Sequence, residues 1–82
     1  MDVEILFTTS AFKHGISEGS ILHALVSTIY EEPFEDDDSK VLLLGFDHSG
    51  NLLEIVYHIL DEQRMMVFHA MKCRRSLLDL LY

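Results

Sequence analysis

The sequence predicts an α+β fold in which an N-terminal strand and helices pack on one face of an antiparallel sheet, a three-strand meander, followed by a short C-terminal helix. Apolar residues at helical spacing follow Ser17, and three apolar segments between positions 41 and 71 are separated by short polar turns. The run E-E-P-F-E-D-D-D at positions 31–38 is the long polar break. With 82 residues, the chain predicts a single domain, residues 1–82.

The first half of the chain predicts one strand and two helices. Residues 3–7 read V-E-I-L-F and alternate as a short strand does. Residues 8–14 predict a short helix that Gly15 stops, and Ser17 suits the N-cap of a second helix. We expect this second helix over residues 18–28. Its apolar stripe consists of Ile21, Leu22, Leu25, Val26 and Ile29.

The second half predicts the meander and the last helix. The acidic run at 31–38 contains a proline and predicts a solvated surface loop. The expected strands cover residues 41–47, 52–60 and 65–71, and the expected turns cover residues 48–51 and 61–64. Residues 74–82 predict a short helix with Leu77, Leu78 and Leu81 on its inner side.

The turns decide which strand residues share a face. A two-residue turn at Glu62 and Gln63 pairs Tyr57 with Phe68, Ile55 with Ala70, and Ile59 with Met66. The first turn adds Leu42, Leu44 and Phe46 to that face, which we expect to meet the helices. The opposite face then consists of Val41, Leu43, Gly45, Glu54, Val56, His58, Val67, His69 and Met71.

Titratable residues on that opposite face suggest a catalytic site. In this register His58 and Glu54 are both diagonal neighbours of His69, at about 7–8 Å. A histidine can act as general acid or base, and a neighbouring carboxylate can orient it. Each residue also has a structural interpretation: His69 as a half-buried strand histidine, and His58 and Glu54 as ordinary residues of a solvated face.

Three cations follow the last strand: Lys72, Arg74 and Arg75. They stand at the start of a predicted helix, where the helix dipole disfavours positive charge, and a solvated basic edge is the structural alternative to a binding role. At the rim of the His69 face they would hold a phosphate. This grouping suits RNA cleavage in which the 2′-hydroxyl attacks its own phosphate.

No metal or cofactor is predicted. Glu54, His58 and His69 lack the spacing of a zinc signature, and the acidic run lacks that of a calcium loop. The lone Cys73 excludes an intramolecular disulfide and favours a reducing, cytoplasmic setting. No apolar run reaches the length of a membrane span, and the N-terminus lacks the positive charge of a secretion signal. We therefore expect a cytoplasmic protein with no membrane contact.

The overall charge limits the functions open to the chain. Fourteen acidic residues against six Lys and Arg give a net charge of −8. A free-standing nucleic-acid binder of high affinity uses a broadly basic surface, so this class is disfavoured while local phosphate contact stays open. The acidity also favours a basic protein partner.

Three motifs together resemble a known toxin family. They are K-H-G-I-S at 13–17, G-F-D-H-S-G-N-L-L-E at 45–54, and H-A-M-K-C-R at 69–74. In this order the chain resembles BrnT-like toxins of the RelE superfamily, most of all short actinobacterial members that end in H-A-M-x-x-R. The resemblance covers residues from about 11 to 81.

The resemblance implies a RelE-like fold and a metal-independent ribonuclease that a co-expressed antitoxin neutralises. Lys13 and His14 match the opening motif, and His69 and Arg74 match the closing motif. Glu54 matches the position after the glycine hairpin. The family does not assign His58 and Arg75, which come from the strand register alone.

The leading interpretation is therefore the toxin component of a type II toxin–antitoxin system, an endoribonuclease acting on mRNA, either free or presented by the ribosome. Its catalytic residues are His69, Glu54 and His58, and its phosphate-binding residues are Lys13, His14, Lys72, Arg74 and Arg75. The alternative is a non-catalytic interaction module of the same fold that binds a basic partner through its acidic loop. A third interpretation is a homodimer joined through an exposed patch of Leu43, Val56 and Val67 or through the final helix.

Overall fold

A computed structural model describes residues 2–81, which form a five-stranded mixed sheet with two α-helices. The sheet has the order β1-β5-β4-β3-β2, with β1 parallel to β5 and the other neighbours antiparallel. The elements are β1 (Glu4–Phe7), a 3-10 helix (Thr9–Phe12), α1 (Glu18–Val26), β2 (Thr28–Phe34), β3 (Asp37–Phe46), β4 (Leu52–Asp61), β5 (Arg64–Lys72), α2 (Arg75–Leu78) and a 3-10 turn (Asp79–Leu81). The predicted α+β class is confirmed, with one strand more than expected.

The additional strand is β2, which the sequence predicted as helix end and loop. It pairs antiparallel with β3, placing Tyr30 opposite Leu44 and Glu32 opposite Leu42. Pro33 is tolerated because β2 is an edge strand, where one side of the backbone needs no partner. The loop prediction for residues 31–38 is therefore wrong, since acidic residues and a proline suit a solvated edge strand as well as a loop.

Helix α1 begins where the sequence predicts and ends two residues early. The Ser17 hydroxyl accepts a hydrogen bond from the Ser20 amide at 3.1 Å, so the predicted N-cap is confirmed. At the other end the Ser27 amide donates to Ala24 O at 3.2 Å before β2 starts. A Cβ at Gly45 would lie 2.1 Å from Ala24 O, so glycine at this position lets α1 pack closely on β3.

The β3–β4 register differs from the prediction by one residue. Phe46 pairs with Leu52, so the connection holds five residues, 47–51, rather than four. Asp47 fixes this loop by accepting hydrogen bonds from the Ser49 amide at 2.9 Å and the Asn51 amide at 2.8 Å. Because side chains alternate along a strand, the extra loop residue reverses both faces of β3. Val41, Leu43 and Gly45 face α1, and Leu42, Leu44 and Phe46 face away, opposite to the prediction.

A bulge in β5 changes the second predicted register. Ile55 pairs with Ala70 as expected, but Tyr57 pairs with Val67 rather than Phe68, and Ile59 pairs with Met65 rather than Met66. The extra residue in β5 turns Val67 toward α1 and Phe68 to the other side of the sheet.

The main core lies between the sheet and α1. It comprises Ala11, Ile21, Ala24, Val41, Leu43, Leu53, Ile55, Tyr57, Val67 and Ala70. Leu43 and Val67 are only 2% and 0% exposed, and Val56 is 8% exposed. The surface patch proposed for a homodimer is therefore absent from the described part of the chain, because these residues are buried.

The chain crosses to the second side of the sheet after β5. The Arg74 amide donates to the Glu54 carboxylate, which points away from α1. Leu80 then lines a groove with Leu42 of β3. The C-terminal segment thus lies on the side opposite α1, which we call the Glu54 face, and the prediction that all helices share one face is wrong. The predicted helix over 74–82 is shorter, and Tyr82 lies outside the described residues. Within residues 2–81, no helix has the length and apolar character needed to span a bilayer.

Candidate functional site

A shallow pocket of about 310 Å³ opens on the Glu54 face beside the N-terminal 3-10 helix. Its lining comes from four parts of the chain that are distant in sequence, around residues 10–14, 34–40, 56 and 68–74. The lining residues are Ser10, Lys13, His14, Phe34, Lys40, Val56, Phe68, His69 and Arg74.

Beneath this pocket lies the buried carboxylate of Glu54, whose side chain is 1% exposed. The Arg74 amide and Arg74 Nε donate to Glu54 Oε1 at 2.9 and 3.0 Å, and Arg74 Nη2 donates to Oε2 at 2.9 Å. His69 Nε2 lies 2.8 Å from the same Oε2. A buried charge is tolerated when it is paired and hydrogen-bonded, and Glu54 meets both conditions.

These contacts also fix the protonation state of Glu54. Burial raises the pKa of the Glu54 carboxyl, but the hydrogen bonds from Arg74 and His69 outweigh it and leave the pKa below its usual value. The carboxyl is therefore ionised at neutral pH and can only accept hydrogen bonds. It follows that His69 Nε2 carries the proton in this pair, and His69 Nδ1 is the nitrogen free to exchange a proton.

A second histidine stands next to His69. The rings of His14 and His69 have centroids 5.5 Å apart and meet edge to face at 75°. His14 is held there because the 3-10 helix is fastened to β5, with the Ser10 hydroxyl donating to Phe68 O at 2.8 Å. Gly15, at φ +80°, ends this segment in a conformation that favours glycine. The pocket thus presents two imidazoles side by side.

The far end of the pocket combines aromatic rings with a third cation. Lys40 Nζ lies 4.5 Å from the ring centroid of Phe34 and 5.9 Å from that of Phe68. Phe34 ends β2 and Lys40 lies near the start of β3, so the β2–β3 hairpin forms this wall.

Positive charge is concentrated at the pocket although the chain is acidic. The lining holds three of the six Lys and Arg residues, Lys13, Lys40 and Arg74, and two of the five histidines. None of the described lining residues is Asp or Glu. The three cations outnumber the one carboxylate beneath them, that of Glu54, so this pocket suits an anion such as phosphate.

The structure brings together five of the eight residues that the sequence indicated. Lys13, His14, His69 and Arg74 line the pocket, and Glu54 lies beneath it. The other three do not line it: His58, Lys72 and Arg75.

Strand geometry explains two of these absences, those of His58 and Lys72. His58 pairs with Met66 because of the β5 bulge, and its ring packs on Phe68 with centroids 4.6 Å apart. Lys72 pairs with Leu53, which puts it on the α1 side of the sheet. Arg75 is the first residue of α2.

Several lining residues were missed by sequence reasoning, among them Phe34, Lys40 and Phe68. Phe34 lies within the acidic run that predicted a loop, and Lys40 follows the run by two residues. The alternation of Lys40 with Leu42 and Leu44 could have predicted the position of Lys40. It indicates that β3 begins before residue 41 and that Lys40 lies on the Glu54 face. Phe68 could not be placed because a bulge leaves no clear mark in a single sequence.

Other chemistry at this site is limited by its side chains. Within residues 2–81, no cluster of three or more His, Cys, Asp or Glu side chains is arranged to hold a metal ion. Burial and the charge of Glu54 raise the pKa of the Cys73 thiol, which disfavours the thiolate that a nucleophile requires. The pocket itself offers two imidazoles, a residue type that can transfer protons, and three cations, which can bind an anion.

Neither the family models, the curated proteins nor the solved structures that were compared with this chain contain a match to it.

Proposed function

We propose that the chain is a metal-independent endoribonuclease that acts on mRNA and is the toxin component of a type II toxin–antitoxin pair. The observation that carries this proposal is the placement of His69 on the buried Glu54–Arg74 pair, 5.5 Å from the ring of His14. Together these groups supply a base, an acid and an anion site, which RNA cleavage requires.

The proposed step uses the RNA's own 2′-hydroxyl as nucleophile. His69 Nδ1 removes the hydroxyl proton as the 2′-oxygen forms a bond to the adjacent phosphorus. The bond from phosphorus to the 5′-oxygen breaks, and protonated His14 gives its proton to that oxygen. The products are a 2′,3′-cyclic phosphate and a 5′-hydroxyl end, and no other reactant is consumed.

Arg74 has two tasks in this proposal. Its amide, Nε and Nη2 hold Glu54, which keeps the His69 imidazole in one orientation. Its side chain is nevertheless 58% exposed, so the remaining guanidinium donors are available to a phosphate oxygen. Lys13 adds positive charge where the phosphorane becomes more negative.

The toxin assignment is supported by where the family-like motifs meet. Lys13 and His14, Glu54, and His69 and Arg74 come from three separate motifs, yet they converge on one pocket. A RelE-like arrangement of the sheet is part of the proposal. An antitoxin that covers this pocket would prevent cleavage by excluding RNA.

Product chemistry tests the proposed reaction. A single-stranded RNA is incubated with the protein in excess chelator, beside the same oligonucleotide with a 2′-deoxy sugar at the cleaved position. We expect cleavage of the first, leaving a 2′,3′-cyclic phosphate, and none at the modified position of the second. Cleavage next to the 2′-deoxy sugar would reject the mechanism.

The toxin role has its own test in cells. We expect induction of the protein alone to arrest growth, and co-expression of a small protein encoded beside it to restore growth. Normal growth at a verified level of folded protein would reject the toxin role.

The acidic β2–β3 hairpin favours a second candidate, an interaction module that binds a basic protein. Glu32 and Glu35 border the groove that Leu42 and Leu80 line, which has a volume of about 220 Å³. Acidic rims select basic partners and speed their association. Under this alternative the complex forms at full strength without any RNA cleavage, and charge reversal across residues 35–38 weakens it.

A further inference from the structure

The two ends of the pocket differ in chemistry, and the cleavage step uses only one of them. His14, His69 and Arg74 form the end that suits a phosphate, together with Lys13. The other end carries the rings of Phe34 and Phe68, which contribute no charge and transfer no proton. Aromatic rings beside a phosphate site have a well-defined use in nucleotide recognition, because every base offers a flat face for stacking.

The rings of Phe34 and Phe68 both lie close to the ammonium group of Lys40. Lys40 Nζ lies over both, at 4.5 Å from the Phe34 centroid and 5.9 Å from the Phe68 centroid. Both phenylalanines are only partly buried and line the pocket directly. A flexible lysine side chain can move off the rings without any backbone change, and its ammonium can then donate to a base carbonyl.

We propose that Phe34, Phe68 and Lys40 form a nucleobase subsite next to the phosphate position. This proposal rests on the proposed function and specifies its substrate as single-stranded RNA with one base stacked in the pocket. The subsite takes one base, because the turn after Phe34 carries Glu35 and Asp36, which repel a continuing phosphate chain.

Binding of small ligands tests the subsite without requiring cleavage. We would measure dissociation constants for inorganic phosphate, ribose 5-phosphate and the four nucleoside 5′-monophosphates at fixed, low ionic strength. A nucleotide differs from ribose 5-phosphate by its base, so the ratio of their dissociation constants measures the contribution of the base to binding. We expect at least one nucleotide to bind about fivefold or more tightly than ribose 5-phosphate, the lower end of base stacking on aromatic side chains.

Two variants locate the effect. Phe34→Leu keeps an apolar side chain but removes the ring, so we expect it to abolish the nucleotide preference while ribose 5-phosphate binds as before. Phe46→Leu is the matched control, since Phe46 is 38% exposed on the same side of the sheet and does not line the pocket. It should keep the full preference.

The outcomes separate the subsite from the enzyme. Equal affinity for nucleotides and ribose 5-phosphate in the unmodified protein would overturn the subsite and leave the proposed function intact, and so would an unchanged preference in Phe34→Leu. A preference that depends on Phe34, in a protein that cleaves no RNA, would support the subsite and reject the enzyme. No binding of any of these phosphates would overturn both.

Discussion

His69 Nε2 and Glu54 Oε2 lie 2.8 Å apart although the two residues are not paired across the sheet. Val56 is opposite His69, and Glu54 is opposite Met71, so the contact is a diagonal one between β4 and β5. The Glu54 carboxylate is buried, whereas the His69 imidazole is 25% exposed. Glu54 therefore holds His69 from below while His69 itself reaches the pocket. This arrangement fixes one nitrogen of His69 and leaves the other for a ligand.

We expect Glu54→Gln to destabilise the fold by about 1–3 kcal/mol, because an amide satisfies fewer of the donors that now converge on the buried carboxylate. In the variant, the partly exposed Arg74 side chain can replace its lost contacts with hydrogen bonds to water. The loss of stability is therefore smaller than for an ion pair in which both partners are fully buried. Urea denaturation measures the change. Glu62→Gln, in the exposed β4–β5 turn, is the control and should be neutral. Equal unfolding midpoints for both variants would contradict the role given to Glu54.

Acid should remove the contribution of Glu54. Its folded pKa lies below the ordinary value of 4.5, so at low pH the unfolded state binds more protons than the folded state. The stabilisation is therefore full above about pH 5 and is lost as the pH falls through the folded pKa. The pKa values of three other carboxyls, those of Asp37, Asp47 and Asp61, are also lowered by hydrogen bonds. The acid dependence of the unmodified protein's stability therefore does not report on Glu54 alone. The difference in unfolding free energy between the unmodified protein and Glu54→Gln should shrink as the pH falls below the ordinary carboxyl pKa of 4.5. A difference that is constant with pH would contradict this.

Two glycine substitutions should act in opposite directions. Gly45→Ala would put a Cβ 2.1 Å from Ala24 O, so α1 must move, at a cost of about 1–3 kcal/mol. Gly19→Ala lies within α1, where the new Cβ meets nothing within 4 Å apart from the adjoining helix backbone, and it should stabilise by about 0.5–1 kcal/mol. Thermal unfolding compares them. A Gly45→Ala variant as stable as the unmodified protein would mean that α1 does not pack against Gly45 as described.

The salt dependence of RNA binding should distinguish two lysines that the sequence treated alike. Lys13 lines the pocket, whereas Lys72 lies on the α1 side of the sheet. A lost phosphate contact lowers the slope of log affinity against log salt by about 0.7 for a single strand. We expect this decrease for Lys13→Ala and an unchanged slope for Lys72→Ala, measured by fluorescence anisotropy. The reverse pattern would place the RNA on the other side of the sheet.

The part of the fold predicted correctly depends on local signals. Ser17 marks the helix start because its hydroxyl can satisfy a free amide there, and strand alternation identifies β4 and β5. The faces of β3 could not be predicted, because they depend on whether the following loop holds four residues or five. The hydrogen bonds of Asp47 select five.

The proximity of Glu54 and His69 was predicted better than the sheet around them, and the position of the β5 bulge explains this. The predicted pairing of Ile55 with Ala70 is right, and the bulge begins only beyond Val56 and His69. The diagonal from Glu54 to His69 therefore lies on the correctly predicted side of the bulge. His58 lies on the other side, where the register has changed.

The proposal depends most directly on His69, and its cleavage rate is the measurement that tests it. We would compare initial rates on one single-stranded RNA for the unmodified protein, His69→Ala and His48→Ala, each checked for folding by circular dichroism. His48 is exposed in the 47–51 loop, outside the pocket, so its variant controls for the loss of a histidine. We predict a rate lower by about 10²–10⁴-fold for His69→Ala, as for loss of a general base, and an unchanged rate for His48→Ala. Equal rates for all three proteins would contradict the assignment of the Glu54–His69 pair as the catalytic centre.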